Sequence, residues 1–184
     1  DLVEKEKKAI AFETYEIDTT AFDGPIPEPA LEVPQVTIED TAAYETWKKS
    51  NVIKQKQDGY YAIGIKVLLG DFYTDKARLL AALIKNYAAN ELRFSLRQNI
   101  VIRHIKEENL PFFYQELAKL DFVQLGYNSV GDITACPGTD TCNLGIASST
   151  GIAEELERVL TAEYPQYLNN REIEIKISGC MNAC

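Results

Sequence analysis

The residues best able to do chemistry are four cysteines in the last third of the chain. They form two pairs: Cys136 and Cys142 in CPGTDTC, and Cys180 and Cys184 in CMNAC. Five residues lie inside the first pair, three inside the second, and 37 between the pairs. Four thiolates suit either zinc or an iron–sulfur cluster. Zinc pairs are usually about two to four residues apart, so the first gap is wide for zinc. A [4Fe–4S] cube spreads its iron corners and tolerates wider loops. Gly138, Gly145 and Gly179 allow close backbone approach, with amides free to point at sulfur. The plain alternatives are inert buried thiols or disulfides, the latter needing an oxidising compartment.

The loops must be positioned by elements that return the chain on itself. Thr150 to Thr161 predicts a helix with Ile152, Leu156 and Val159 on one face. Arg171 to Ile177 predicts a strand, with Ile173, Ile175 and Ile177 alternating with Glu172, Glu174 and Lys176. Upstream, Ile63, Ile65 and Val67 alternate with Gly64 and Lys66, the pattern of a strand with one buried face. Asp75 to Ala89 has helical periodicity through Ala77, Leu80, Ile84 and Tyr87. Strands are expected at Leu92 to Leu96 and Ile100 to Ile105, joined tightly at Gln98–Asn99. Asn109 is a candidate cap for a helix with Pro111 in its first turn and Leu110, Phe113, Leu117 and Leu120 as its stripe. The order strand, helix, strand, strand, helix is most of a ferredoxin-like α+β unit. Before it, Thr41 to about Gln55 predicts a helix bearing Tyr44 and Trp47, and DGPIPEP at residues 23–29 marks an extended arm.

With these elements in place, the motifs resemble those of a known family. ACPGTDTCNLG, followed by ISGCMNAC, looks like the paired cluster motif of assimilatory sulfite and nitrite reductases. ELRFSLRQNIVIRHI (91–105) is similar to that family's strand–turn–strand segment centred on a Gln–Asn pair, and WKKSNVIKQKQDGY (47–60) resembles its lead-in. The resemblance covers residues 42–184 and implies that Cys136, Cys142, Cys180 and Cys184 bind a [4Fe–4S] cluster. By position, Cys184 would also bridge the cluster to sirohaem. It implies an α+β fold: an arm and linker with a short helix (1–58), a ferredoxin-like half-domain (59–126), and an incomplete sirohaem/[4Fe–4S]-binding domain (127–184). The implied reaction is six-electron reduction of sulfite to sulfide or nitrite to ammonia, with a slight lean to sulfite from the motif's appearance. The electron donor would be ferredoxin or a flavoprotein.

The family has two pseudo-symmetric repeats, and only the carboxyl-side one carries the cysteines. In relatives the amino-side repeat supplies much of the sirohaem pocket and most of the Arg and Lys residues that hold the anion. The expectation is therefore a fragment, inactive without that partner repeat. The family pattern continues past the last cysteine, typically with Gly, whereas this sequence ends at Cys184. The competing reading is a non-enzymatic ferredoxin-like module with a structural four-cysteine metal site.

Other polar residues have more ordinary readings. Arg97, in LRQN, is a candidate for a structural role, a haem carboxylate or the substrate anion. Gln98 and Asn99 are expected to fix the turn by side-chain hydrogen bonds. His104, the single histidine, reads as a surface or half-buried strand residue rather than a proton donor or haem ligand. Thr139, Thr141 and Asn182 divide between loop shaping and cofactor contact, and Lys176 reads as solvent-facing. A formal charge of −9 disfavours nucleic acid and anionic membranes. No apolar run approaches the roughly 18 residues of a membrane span. With no export signal in the charged first residues, a cytoplasmic location is expected.

Overall fold

The computed structural model describes residues 4–5 and 25–183. The readings placed on most of the amino-terminal arm, and on Cys184, lie outside those residues. Helix α1 (Thr41–Asn51) begins where the Asp40 carboxylate accepts from Ala43 N at 2.9 Å, satisfying one of the helix's free amides. It stops earlier than the sequence pattern indicates. Val52 and Ile53 are β-branched and leave the helix for strand β1 (Val52–Lys54).

β1 pairs antiparallel with β2 (Tyr60–Ile65), which pairs with β4 (Ile100–Lys106), which pairs with β3 (Leu92–Phe94). Helix α2 (Thr74–Tyr87) connects β2 to β3, and helix α3 (Leu110–Lys119) follows β4. This is the expected ferredoxin-like order of elements. β1, from the lead-in, fills the edge place beside β2 that a fourth strand after α3 would take in a complete unit.

Tyr44 and Trp47 of α1, Ile63 and Ile65 of β2, Leu80 and Ile84 of α2, Ile100 and Ile102 of β4, and Leu110, Phe113 and Leu117 of α3 form one apolar core. The α3 stripe is as expected from spacing. Asn109, however, makes no side-chain cap, because a 3-10 turn at Glu107–Asn109 already leads into the helix. His104 lies in a bulge: Tyr61 faces Ile105 while Ile63 faces Ile102. Its φ is +61, and its amide donates to Gln55 Oε1 at 2.7 Å. Burial, and then the Arg103 charge, push the imidazole pKa down.

The single buried face expected for β2 needs correction. Gly64 and Lys66, assigned to the open face, are also covered. A Cβ on Gly64 would lie 2.4 Å from the Tyr127 ring. Lys66 is 8% exposed and pairs with Glu157 at 2.6 Å. The covering layer is the segment from Tyr127 onward. It contains β5 (Thr134–Ala135), helix α4 (Ser149–Glu163) and β6 (Lys176–Ile177), with β5 parallel to β6. The expected strand from Arg171 shrinks to these two residues, since β5 offers only a two-residue ladder. Ile133, Ala135 and Ala153 form a small second core, with Leu160, Ile175 and Ile177 packed against it.

Asn99 adds directional bonds between the two layers. Asn99, fully buried, accepts from Val67 N at 2.8 Å. Its Nδ2 donates to both carboxylate oxygens of Asp132, at 2.8 and 2.7 Å. Asp132 also accepts from Asn128 N at 2.8 Å. Asn99→Ala would leave a buried carboxylate and a buried amide short of partners, at a cost of about 3 kcal/mol. The check is urea unfolding, with a lower midpoint expected; a loss below about 1 kcal/mol would show that Asp132 is held by other means.

Candidate metal centre

The loop from Cys136 to Gly145 and the turn at Ser178–Cys180 meet backbone to backbone. Gly179 O accepts from Ile146 N at 2.8 Å and from Ala147 N at 3.1 Å. Thr139 N donates to Ala147 O at 3.2 Å. A Cβ on Gly179 would lie 2.6 Å from Gly138 Cα, and one on Gly145 would lie 2.6 Å from the Gly138 carbonyl carbon. All three glycines named from the sequence therefore sit at one crossing, and only hydrogen in place of Cβ lets the chains approach so closely.

Cys136 lies at this crossing. Gly179 N donates to its Sγ at 3.2 Å. Ser149 Oγ lies 3.4 Å from the same sulfur and 2.7 Å from Cys136 O, so its one hydrogen is shared between them. Hydrogen bonds from the Ser149 hydroxyl, then the Gly179 and Gly138 amides, hold the Cys136 thiol below its ordinary pKa. Ser149 was not singled out from the sequence. The Ser148–Ser149–Thr150 run reads as a helix start, and Ser148 does accept from Gly151 N; the neighbouring serine turns inward to the sulfur.

The cysteine positions match a thiolate site only in part. Cys136, Cys142 and Cys180 are free thiols of intermediate exposure, on loops that the fold brings together. Among the described residues, no group of three Cys, His, Asp or Glu is arranged to hold a metal, and Cys184 lies outside them. What fits a thiolate-bound group is the local chemistry: amide and hydroxyl donors aimed at Cys136 Sγ. Beside Cys136 and Ala183 there is also a cavity of about 540 Å³, walled by Leu96, Gln98, Ala135 and Ile177. Thr134 Oγ1, on the same wall, is buried without a hydrogen-bond partner.

The remaining candidates are placed by side-chain contacts. Arg97 pairs with Glu174, which also pairs with Lys176 at 3.0 Å. This gives Arg97 a structural contact and makes Lys176 an exposed ion-pair partner. Gln98 and Asn99 do not fix their own turn by side-chain bonds: the Ser95 hydroxyl accepts from Arg97 N and Asn99 N at 3.2 Å, while both amide side chains reach residues beyond Tyr127. Thr139, Thr141 and Asn182 are exposed. His104 belongs to a separate pocket lined by the arm, Tyr60 and Tyr87. Its Nδ1 lies 3.6 Å from Glu91 Oε1, and it does not join the cysteines.

Residues 53–120 match the family model for the nitrite/sulfite reductase ferredoxin-like half domain. Residues 53–120 thus carry the ferredoxin-like half domain of the nitrite/sulfite reductases. It is 27% identical over 141 residues to ferredoxin–nitrite reductase of Synechococcus elongatus, covering 75% of this chain and 27% of the relative. It is 25% identical over 183 residues to sulfite reductase [ferredoxin] 2 of Mycolicibacterium paratuberculosis, covering 97% of this chain and 30% of the relative. The structure of Mycobacterium tuberculosis NirA protein superposes with a TM-score of 0.53 at 26% identity, over 88% of this chain and 27% of that one. The chain thus spans between 27% and 30% of the length of these relatives. Among the described residues no helix is long and apolar enough to cross a membrane.

Gly179→Ala places its methyl group 2.6 Å from Gly138 Cα and 2.8 Å from Ala147 O, forcing the loops apart at a cost of about 2 kcal/mol. Amide exchange at Ile146 and Ala147, both bonded to Gly179 O, is expected to accelerate; unchanged rates would refute the contact. The Cys136 pKa gives a second check. A folded thiol held below its unfolded value favours the fold above the unfolded pKa, about 8.5, and this contribution is lost as pH falls through the folded value. In metal-free protein, iodoacetamide labelling of Cys136 should therefore accelerate at a lower pH than in the same chain unfolded in urea.

Proposed function

We propose that this chain is the carboxyl-side repeat of a sirohaem- and [4Fe–4S]-dependent reductase that converts sulfite to sulfide or nitrite to ammonia. The observation that carries the reading is the interlocked pair of cysteine loops, with the Gly179 amide on Cys136 Sγ, in a chain that carries the nitrite/sulfite reductase ferredoxin-like half domain. Cys136, Cys142, Cys180 and Cys184 are the proposed cluster ligands, and Cys184 the proposed bridge to sirohaem. When bound, the cluster and haem supply six electrons to one anion.

The chain's own part is positional and electrostatic. The crossing of Gly138, Gly145 and Gly179 brings the loops within reach of one group. Amide and hydroxyl donors stabilise negative charge at Cys136 Sγ, the form in which sulfur binds metal. The cavity beside Cys136 and Ala183 leaves space for a bound group next to the Cys136 sulfur. Residues 127–184 would form the cofactor-binding unit and residues 59–126 the half-domain behind it. The other repeat would supply the remaining pocket and the cations that hold the anion, so this part by itself would be inactive. Ferredoxin or a flavoprotein would deliver electrons, in a compartment that keeps thiols reduced.

The test is anaerobic analysis of iron, sulfide, zinc and sirohaem in the full-length protein, with its absorption spectrum. About four irons and four sulfides plus one sirohaem iron are expected. Cys136→Ser and Cys180→Ser should each lower iron and sulfide together, and Cys184→Ser should also perturb the sirohaem bands. Stoichiometric zinc without sulfide or sirohaem would instead establish the structural four-cysteine module.

A further inference from the structure

The turn from Ser95 to Asn99 carries a backbone cost that its own bonding does not require. Gln98 has φ +63, in the left-handed region that Gly and Asn tolerate and Gln disfavours. The turn is closed by Ser95 N to Asn99 O at 2.9 Å and Gln98 N to Ser95 O at 3.3 Å. Both are backbone bonds that Gly or Asn would make equally well. The glutamine side chain acts elsewhere: its Nε2 donates to Ala135 O at 2.9 Å, and its Oε1 accepts from Ala135 N at 3.3 Å.

Those two bonds complete a strand. In the β5–β6 ladder, Thr134 N donates to Ile175 O and Cys136 N to Ile177 O, each at 3.1 Å. The groups of Ala135, between them, therefore point away from β6. Ala135 is buried, so its N–H and C=O need partners. A primary amide offers one donor and one acceptor side by side, the arrangement a neighbouring strand would present. Asparagine suits the backbone conformation but is one methylene shorter. Gly70 leaves room for the longer side chain, since a Cβ there would lie 3.3 Å from Gln98 Cβ. The flanking residues grip the same layer, Arg97 at Glu174 and Asn99 at Asp132.

We infer that Gln98 is a positioning residue for the cysteine site: its side-chain amide serves as a third strand against Ala135 and fixes the register from which Cys136 projects. The purpose of this clamp rests on the cluster-ligand reading above, whereas its existence does not.

The experiment uses full-length protein as wild type, Gln98→Gly and Gln98→Asn. Both variants relieve the left-handed backbone but leave the buried Ala135 groups without partners; the two effects oppose each other, so melting midpoints are expected close to that of the wild type. Amide exchange at Ala135 should rise on the order of tenfold in both. Iron release to a chelator should accelerate by a similar factor, at an unchanged midpoint. Wild-type exchange, or faster exchange with unchanged iron release, would overturn the positioning role. Lower midpoints with release in proportion would also overturn it, making Gln98 a general stabiliser. If the wild type holds no iron–sulfide, the cluster-ligand reading fails and exchange at Ala135 alone decides whether the clamp exists.

Discussion

The structure depends on one buried primary amide. Asn99 has a single acceptor and a single NH₂ group, and both are committed across the boundary between layers. Its acceptor receives an amide at the end of the β2 segment, and its donors neutralise the hydrogen-bonding demand of the Asp132 carboxylate. A buried carboxylate without such partners is costly. The covering layer is therefore held in one orientation by directional bonds as well as by apolar contact, which its small core could supply only weakly. Lys66 and Glu157 add a second polar tie through the same boundary.

This arrangement explains which parts of the fold were legible in the sequence. The ferredoxin-like unit was, because its core stripes repeat locally: Leu110, Phe113 and Leu117 on α3, Ile63 and Ile65 on β2. The second burial of β2 was not. Gly64 and Lys66 look like an open face until Tyr127 and Glu157 arrive from distant sequence. β1 was absorbed into the preceding helix because Val52 and Ile53 reveal their preference only when β2 offers a ladder. Arg171 to Ile175 alternate like a strand but lack a partner long enough to pair with.

At the cysteines, spacing and glycine placement were legible, and the donors were not. Gly138, Gly145 and Gly179 stood out as permissive residues, and the fold brings their backbones together. Ser149 and Gln98 could not be found by spacing, since each acts on a residue far away in sequence. The hydrophobic pattern positions the loops approximately. Single hydrogen bonds, from Gly179 N to Cys136 Sγ and from Gln98 to Ala135, then act on Cys136 and on the residue before it.

The parallel pairing of β5 with β6 has a consequence for assembly. Two parallel strands cannot be joined by a hairpin, so the whole of α4 must intervene between Ala135 and Lys176. The ladder gained is only two residues long, a small return for closing so long a loop. On a growing polypeptide, Cys136 therefore emerges well before Gly179 and Cys180 can meet it. The ferredoxin-like unit is complete in sequence once α3 has emerged, so it can condense first and present a finished surface to the later segment. The cysteine crossing can therefore close only after the residues of the scaffold behind it have been made.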